Sequence, residues 1–470
     1  MGFAALALRL LVVAWAAPRF PPVADGAIYH DIAARIASGS GYVAAWPDGT
    51  IHAAGHYPVG YPGALAGLYA LFGATPLVAM LLNALLGALC VAAVHRLLVP
   101  LDRGRTRAAL LGAALVAVHP GLVAYTPALM AEGAAACLWT LGLVGAVAAR
   151  RARTRPRAIG ALVTTGVLAG LGCLVRPETA LLVPWLGAAA APVGRAGRPW
   201  WRVLGTAAAV GALAAAVAAP WVARNCAVMG RCTLSLNAGW NLLIGTDAAA
   251  RGKYAPLVVP EGCAEVPGEA EQDACFARAA WGRIGADPAG WLALAPRKLA
   301  GTFDVCNAGG WYLHASNPDA FGAPARTALG VVEIAFERGV LLAALVGAAP
   351  RRRARGARAS TARLLVLVGL VAALTPAGWI AFVGLIGALA LRRPGPLHGA
   401  SPHLAVLATL LVTAVVHVVF FGEGRYVVPA LPSLVALAAL GLCRLRWRAP
   451  STPATSHAPS ASAQTPASSE

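Results

Sequence analysis

An all-α polytopic membrane protein is the fold class this sequence of 470 residues predicts, on three observations. The chain is 59% hydrophobic and only 12% charged, with a mean hydropathy of +0.67. Apolar runs of about 15 to 25 residues recur along it, the length a helix needs to cross the hydrocarbon layer. Arginine clusters fall between those runs, as they do in the cytoplasmic loops of membrane proteins. Helices are the expected element because an open strand in lipid would leave its backbone groups unpaired.

The first segment, "MGFAALALRLLVVAWAAPRF", reads as a retained helix over 3–18. Its "AWA" resembles a signal-peptide cleavage site, but Arg9 interrupts the apolar core and no extra basic charge precedes it. Further runs lie near 76–99, 107–124, 127–149, 158–175, 179–193, 203–222, 327–349, 404–421 and 427–443. The stretch 364–391 reads as two short helices broken at Thr375-Pro376. Proline interrupts the helical ladder, and arginines on both flanks require an even number of crossings. About ten to twelve crossings result.

The positive-inside rule puts "RRARTRPR" (150–157), "GRAGRPWWR" (194–202), "RRRARGARASTAR" (351–363) and the "RLRWR" after the last helix in the cytoplasm. Two long segments, about 19–75 and 223–326, then face the opposite side, and ordered connections of that length are usually functional. The expected organisation is a transmembrane module over 1–222 carrying the first segment, a second loop region over 223–326, and C-terminal helices over 327–448. A Ser-, Pro-, Ala- and Thr-rich tail over 449–470 should be disordered. "YPGALAGLYALFG" (61–73) is too short to span and should lie along the interface. Heavy use of Ala, Gly and Arg with only two lysines, Lys253 and Lys298, is the composition of a GC-rich bacterial genome, so the expected location is a bacterial inner membrane.

A formal charge of +19 would suit a nucleic-acid partner, but the basic runs lie between apolar segments with few interleaved aromatics, which excludes one. Among the nine cysteines, four in the second long segment are placed to pair, where an oxidising compartment permits disulfides. Three pairings are open; Cys226 with Cys232 and Cys263 with Cys275 is favoured, since each closes a short loop. Cys90, Cys137 and Cys173 lie inside helices and read as small packing residues.

Chemistry-bearing residues concentrate in "PPVADGAIYHDIAARIASGSGY" (21–42). Ile28, Ile32 and Ile36 recur every four residues and mark an apolar helical stripe, so this helix should rest on the membrane surface. Asp25 and Tyr29 share a neighbouring face and present a carboxylate and a phenol together. The bland alternative is that Asp25 only caps the helix start.

The wider pattern resembles bacterial GT-C-fold glycosyltransferases, the superfamily of the dolichyl-phosphate-mannose protein mannosyltransferases and the lipid A aminoarabinose transferases. The resemblance rests on Asp25, Tyr29 and Ala33, then "GSGY" (39–42), "HYPVGYP" (56–62) leading into "LYALFG", and "LMAEG" around Glu132. It continues through "LVRPETALLVP" (174–184), "PWVARN" (220–225), "LSLNAGWNLLIGT" (234–246), "DPAGWLALAPRKLAGTF" (287–303) and "GEGRYVVPALP" (422–432). Many relatives carry adjacent Asp-Glu where this chain has Asp25-Gly26, so the source of a second carboxylate is open between Asp31 and Glu132.

The resemblance implies transfer of a sugar from a polyprenyl phosphate in the bilayer to an acceptor, with inversion, at the extracytoplasmic face. A phosphate leaves without protonation, so one carboxylate acting as base suffices. Asp25 is the candidate base, with Tyr29 and Glu132 as further catalytic candidates. Charge on the departing phosphate needs fixed cations, and Arg176, Arg224, Arg297, Lys298 and Arg425 all fall near extracytoplasmic helix ends. Some of these could instead snorkel to the interface, and Arg176 could simply pair with Glu178. Asp31, His56, Tyr57 and Tyr61 are candidates for the acceptor side of the first segment.

His30, His52 and His56 lie near Asp25, Asp31 and Asp48 without the HExxH spacing of a helical zinc site, so no metal site is assigned. No cofactor is required, although a divalent ion between Asp25 and the donor phosphate is kept open. His314 and His417 read as packing or hydrogen-bonded residues. The absence of phosphate-loop and dinucleotide-binding glycine motifs argues against nucleotide-driven transport.

The rival class is a transporter or lipid flippase without catalysis. Such folds show paired repeats and broken mid-membrane helices, and the Thr375-Pro376 break is the only feature here that favours one. A polymerase or O-antigen-ligase-like enzyme would also use lipid-linked sugars, but would not be expected to place Asp-x3-Tyr directly after its first helix.

Overall fold

The computed structural model describes residues 1–45, 49–101, 106–192, 200–304, 307–350, 354–391 and 401–446. Asp48, residues 194–199 and 351–353 of two basic segments, and the tail over 449–470 lie outside the described residues.

The expected all-helical architecture is what is observed, with one two-stranded hairpin among the described residues. Among the described residues five helices are long and apolar enough to cross a membrane: Pro76–Leu98, Glu132–Arg151, Arg155–Val175, Trp200–Met229 and Gly424–Cys443. Shorter apolar helices are Gly2–Ala16, Arg107–Ala117, Thr179–Ala190, Trp379–Ala390 and Ala405–Val419. The chain is therefore a multi-pass membrane protein. One buried apolar cluster extends from Ala5 to Leu440, so the N-terminal and C-terminal helices share a core.

Close packing depends on small residues, because lipid tails provide no hydrophobic drive between helices. A Cβ on Gly347 would come within 2.6 Å of the Gly441 Cα, so Ala323–Ala348 and Leu431–Arg446 touch backbone to backbone. Arg9, the charge that interrupts the first apolar run, is almost fully buried. Its guanidinium donates to the carbonyls of Val116 (3.4 Å) and Ala117 (3.3 Å) at the end of Arg107–Ala117. Those carbonyls have no partner within their own helix.

The apolar run at 107–124 is not one helix. It stops at Ala117 and resumes as Pro120–Ala124, because the proline disfavours helical geometry in His119 before it. The next helix begins at Glu132 rather than near 127. Around Thr375-Pro376, Ala357–Ala372 and Trp379–Ala390 fold back as a hairpin, with a Cβ on Gly384 only 3.5 Å from the Gly369 Cα.

Both long segments are structured. The first holds helix Asp25–Ala37, antiparallel strands Val43–Ala45 and Ile51–Ala53, and helix Gly60–Phe72. Gly60–Phe72 buries Tyr61, Leu65 and Tyr69 and exposes Leu71 and Phe72. Of the isoleucine stripe, Ile32 is buried and Ile36 half-buried, while Ile28 is exposed. The second holds helices Ala238–Thr246, Glu269–Ala286, Ala295–Phe303 and Ala308–Ser316. Disulfides join Cys226 to Cys232 and Cys263 to Cys275.

Candidate active site

Asp25 opens helix Asp25–Ala37 behind a sharp turn in which Ala24 has φ 50°, a conformation non-glycine residues rarely adopt. Such backbone persists only where the surroundings fix it. The Asp25 side chain does not cap its helix. Instead its Oδ1 accepts from the Tyr57 hydroxyl at 3.0 Å, and its Oδ2 accepts from Arg425 at 2.6 Å. Burial works against ionisation of Asp25. The Arg425 guanidinium, the Tyr57 hydroxyl and His56 together outweigh it and hold the carboxyl below its ordinary value.

Arg425 lies at the start of the 3-10 turn Gly424–Ala430, which leads into the last helix. Besides Asp25 it donates to Glu423 at 2.9 Å and lies 3.9 Å from Glu132. Glu132, the first residue of Glu132–Arg151, is almost fully buried. Its carboxylate accepts from Arg176 at 2.8 Å and from the Tyr125 hydroxyl at 2.8 Å. Arg176, in the turn after Arg155–Val175, is also bound to Glu178. The Tyr426 ring is near both arginines, 5.4 Å from Arg176 and 5.2 Å from Arg425, and stacks on His417 at 4.1 Å. Asp25, Arg425, Glu132 and Arg176 thus form one chain of charges drawn from four parts of the sequence.

Aromatic rings line the Asp25 side. Tyr57 meets Tyr29 at 4.8 Å and His56 at 4.6 Å, and Tyr29 meets Tyr61 at 5.5 Å. Tyr61 donates to Asn83 at 3.1 Å, which anchors helix Gly60–Phe72 on Pro76–Leu98. Burial pushes the Tyr57 hydroxyl well above its usual range, so it stays a donor, and pushes His56 down to about 4, so the imidazole is neutral.

Gly26, the position where the resemblance implies a second acid, has no room for one. A Cβ there would lie 2.7 Å from the Tyr312 hydroxyl and 3.1 Å from the Leu129 carbonyl. The carboxylates near Asp25 come instead from Glu132 and from Glu423, which sequence reasoning missed although it sits two residues from Arg425. Asp31, six residues beyond Asp25, lies on another face of the helix and pairs with Arg35 at 2.7 Å, half-exposed.

The five candidate cations separate. Arg425 and Arg176 join the cluster. Arg224 donates to the carbonyls of Ala54 (2.6 Å) and Tyr42 (3.0 Å), fastening the hairpin of the first segment to Trp200–Met229. Lys298 is fully buried, donating to the carbonyls of Val418 and Val419 at 3.1 and 3.3 Å, with burial pulling its ammonium down to about 8. Arg297 beside it is exposed. Neither Arg224 nor Lys298 reaches Asp25; both serve backbone carbonyls.

A divalent ion at Asp25 would have to share the carboxylate with Arg425 and Tyr57. Among the described residues no group of three or more His, Cys, Asp or Glu side chains gathers to hold a metal ion.

Residues 56–223 match the family model described as dolichyl-phosphate-mannose-protein mannosyltransferase. Crystal structures of ArnT from Cupriavidus metallidurans align over 93% of this chain (apo) and 94% (bound to undecaprenyl phosphate), and over 77% of their own. Identity is 16% in both, with TM-scores of 0.40 and 0.39. The oligosaccharyltransferase AglB from Archaeoglobus fulgidus, in complex with an inhibitory peptide and a dolichol-phosphate, aligns over 94% of this chain and 50% of its own, at 14% identity and a TM-score of 0.46. No curated protein matches the chain. Asp25 and Arg425 lie outside the matched stretch; from His56 to Ala223, the chain carries the sequence pattern of the dolichyl-phosphate-mannose protein mannosyltransferases.

Proposed function

We propose that the chain is an inverting glycosyltransferase of GT-C type, moving a sugar from a polyprenyl-phosphate donor to an acceptor hydroxyl at the extracytoplasmic face of a bacterial inner membrane. The observation that carries this reading is the contact between Asp25 and Arg425, 2.6 Å apart. It puts a group able to take a proton beside a group able to take a phosphate. The donor class is supported by the family description, which names a polyprenyl-phosphate sugar. The membrane face is supported by the arginine-rich connections, which assign the opposite side to the cytoplasm.

In the reaction, the acceptor oxygen attacks the anomeric carbon from the face opposite the phosphate. Its proton passes to an Asp25 oxygen as the new C–O bond forms. The bond from the anomeric carbon to the phosphate oxygen breaks, and its electron pair leaves with the phosphate. A phosphate is a stable anion, so no general acid is needed, unlike the alkoxide departure of glycosidases. Arg425, with a planar fork suited to phosphate, stabilises the leaving charge. Arg176 adds field through the Glu132 and Tyr426 contacts. Tyr57 keeps Asp25 aimed, and the Tyr29, Tyr57 and Tyr61 rings supply an apolar wall for a sugar face.

Transport without chemistry loses its one sequence argument, because the Thr375-Pro376 break is the turn of a packed helix hairpin. The test is to incubate purified protein with a panel of polyprenyl-phosphate sugars and candidate acceptors, reading donor consumption and the anomeric configuration of the product. Consumption with inverted configuration supports the reading. A retained configuration, or no consumption with any donor, contradicts it.

A further inference from the structure

Glu269 is the first residue of helix Glu269–Ala286 in the second long segment, and nothing in its local sequence marks it out. An acid in the first turn of a helix ordinarily serves the helix dipole. Here the carboxylate reaches across to the first segment. Its Oε2 accepts from the backbone N–H of Gly55 at 2.5 Å and of His56 at 3.1 Å, contacts that join residues 214 and 213 positions apart. The next residue is Tyr57, whose hydroxyl donates to Asp25. A Cβ on Gly55 would come within 2.7 Å of Leu236 and 3.5 Å of the Glu269 carboxylate, so this backbone is pressed against the second segment.

We infer that Glu269 is a positioning residue for the proposed transfer: by clamping Gly55 and His56 it fixes Tyr57, and through Tyr57 the orientation of Asp25. The inference rests on the glycosyltransferase reading but concerns a residue that touches neither donor nor acceptor.

The surroundings make the clamp specific. The disulfide between Cys263 and Cys275 brackets Glu269 and holds the start of its helix. Arg224 secures the Ala54 carbonyl on the other side of Gly55. The groups that act on Glu269 are Arg224 from Trp200–Met229 and Asp273 from its own helix, with Tyr42 and His56 on the first segment. Burial raises the Glu269 carboxyl to about 7, against the two backbone hydrogen bonds and Arg224, which lower it. An ionised acceptor makes the stronger hydrogen bonds. The clamp therefore tightens as pH rises through about 7 and slackens below it.

The test compares wild type, Glu269→Ala and Glu269→Gln in lipid nanodiscs by two readouts. The first is amide hydrogen exchange of peptides covering residues 50–60. The second is the pH profile of transfer, with kcat and KM separated. Glu269→Ala should raise exchange at Gly55 and His56 and lower kcat about tenfold, with KM for the donor within about twofold. Glu269→Gln, which keeps an acceptor oxygen but no charge, should act as the protonated clamp does: a kcat between those of wild type and Glu269→Ala above pH 7, close to wild type below it, and no limb near pH 7. Unchanged exchange in Glu269→Ala, unchanged kcat, or a limb near pH 7 that persists in Glu269→Gln overturns the inference. If wild type transfers no sugar, the glycosyltransferase reading fails on its own, and the exchange comparison still decides whether Glu269 holds the segment.

Discussion

Arg425 donates to the Asp25 carboxylate at 2.6 Å across 400 residues of sequence, so the proposed base and the proposed phosphate ligand occupy each other. A donor phosphate arriving at Arg425 competes with Asp25, and its binding frees a carboxylate oxygen for the acceptor. Asp25→Asn removes the competing charge. It should bind a polyprenyl phosphate about threefold to tenfold more tightly than wild type, since a charged contact at a partly exposed site is worth on the order of 1 kcal/mol. Titration calorimetry in detergent measures this; equal or weaker binding would show that Asp25 does not restrain Arg425.

The Tyr57 hydroxyl helps hold the Asp25 carboxyl below its ordinary value. Ionised Asp25 is therefore present throughout the neutral range. Its contacts stabilise the fold above the unfolded value of about 3.9, and that contribution is lost as pH falls through the lowered folded value. Tyr57→Phe removes one of the contacts and should move the acid limb of kcat/KM upward. A pH–rate series on both proteins reads it, and an unmoved limb would detach Tyr57 from Asp25.

Gly26 is set by space rather than by chemistry. Gly26→Ala should cost about 1–3 kcal/mol of stability, because its methyl meets the Tyr312 hydroxyl and the Leu129 carbonyl. Gly26→Glu should not gain activity from the added acid. Thermal unfolding with a transfer assay checks both, and an active, stable Gly26→Glu protein would refute the packing argument.

Glu132 differs from Asp25 in being structural as well as electrostatic. Its side chain is 3% exposed and bonded to Arg176 and Tyr125. Glu132→Ala should destabilise the protein by about 3 kcal/mol, the low end for breaking a buried pair, because Glu178 keeps Arg176 partnered. Asp25→Asn, which keeps an oxygen for Tyr57 and leaves Arg425 paired with Glu423, should lower the melting temperature less. Similar melting shifts in the two variants would contradict this division.

The all-helical architecture was legible from apolar run length, because lipid permits few alternatives. Loop length favoured the two disulfides that are observed over the other pairings, without fixing them. Within the cluster, Asp25, Tyr57 and Glu132 were nominated through the family resemblance and Arg176 and Arg425 as cations near membrane helix ends, but not their pairing, which depends on how four distant segments pack. Lys298 and Arg224 show the opposite case. Conspicuous cations at helix ends need not face a ligand; here they satisfy carbonyls of Val418, Val419, Ala54 and Tyr42. Glu269 and Glu423 escaped notice because a lone acid in a polar loop carries no periodic or spacing signal. The helix break between Ala117 and Pro120 was signalled by the proline and hidden by the apolar run around it.

The central claim is that Asp25 takes the acceptor's proton, and single-turnover transfer from a saturating polyprenyl-phosphate sugar tests it most directly. With donor binding verified in both proteins, Asp25→Asn should transfer at least about 100-fold more slowly than wild type, the loss expected on removing a general base. Transfer at the wild-type rate in Asp25→Asn would contradict the account.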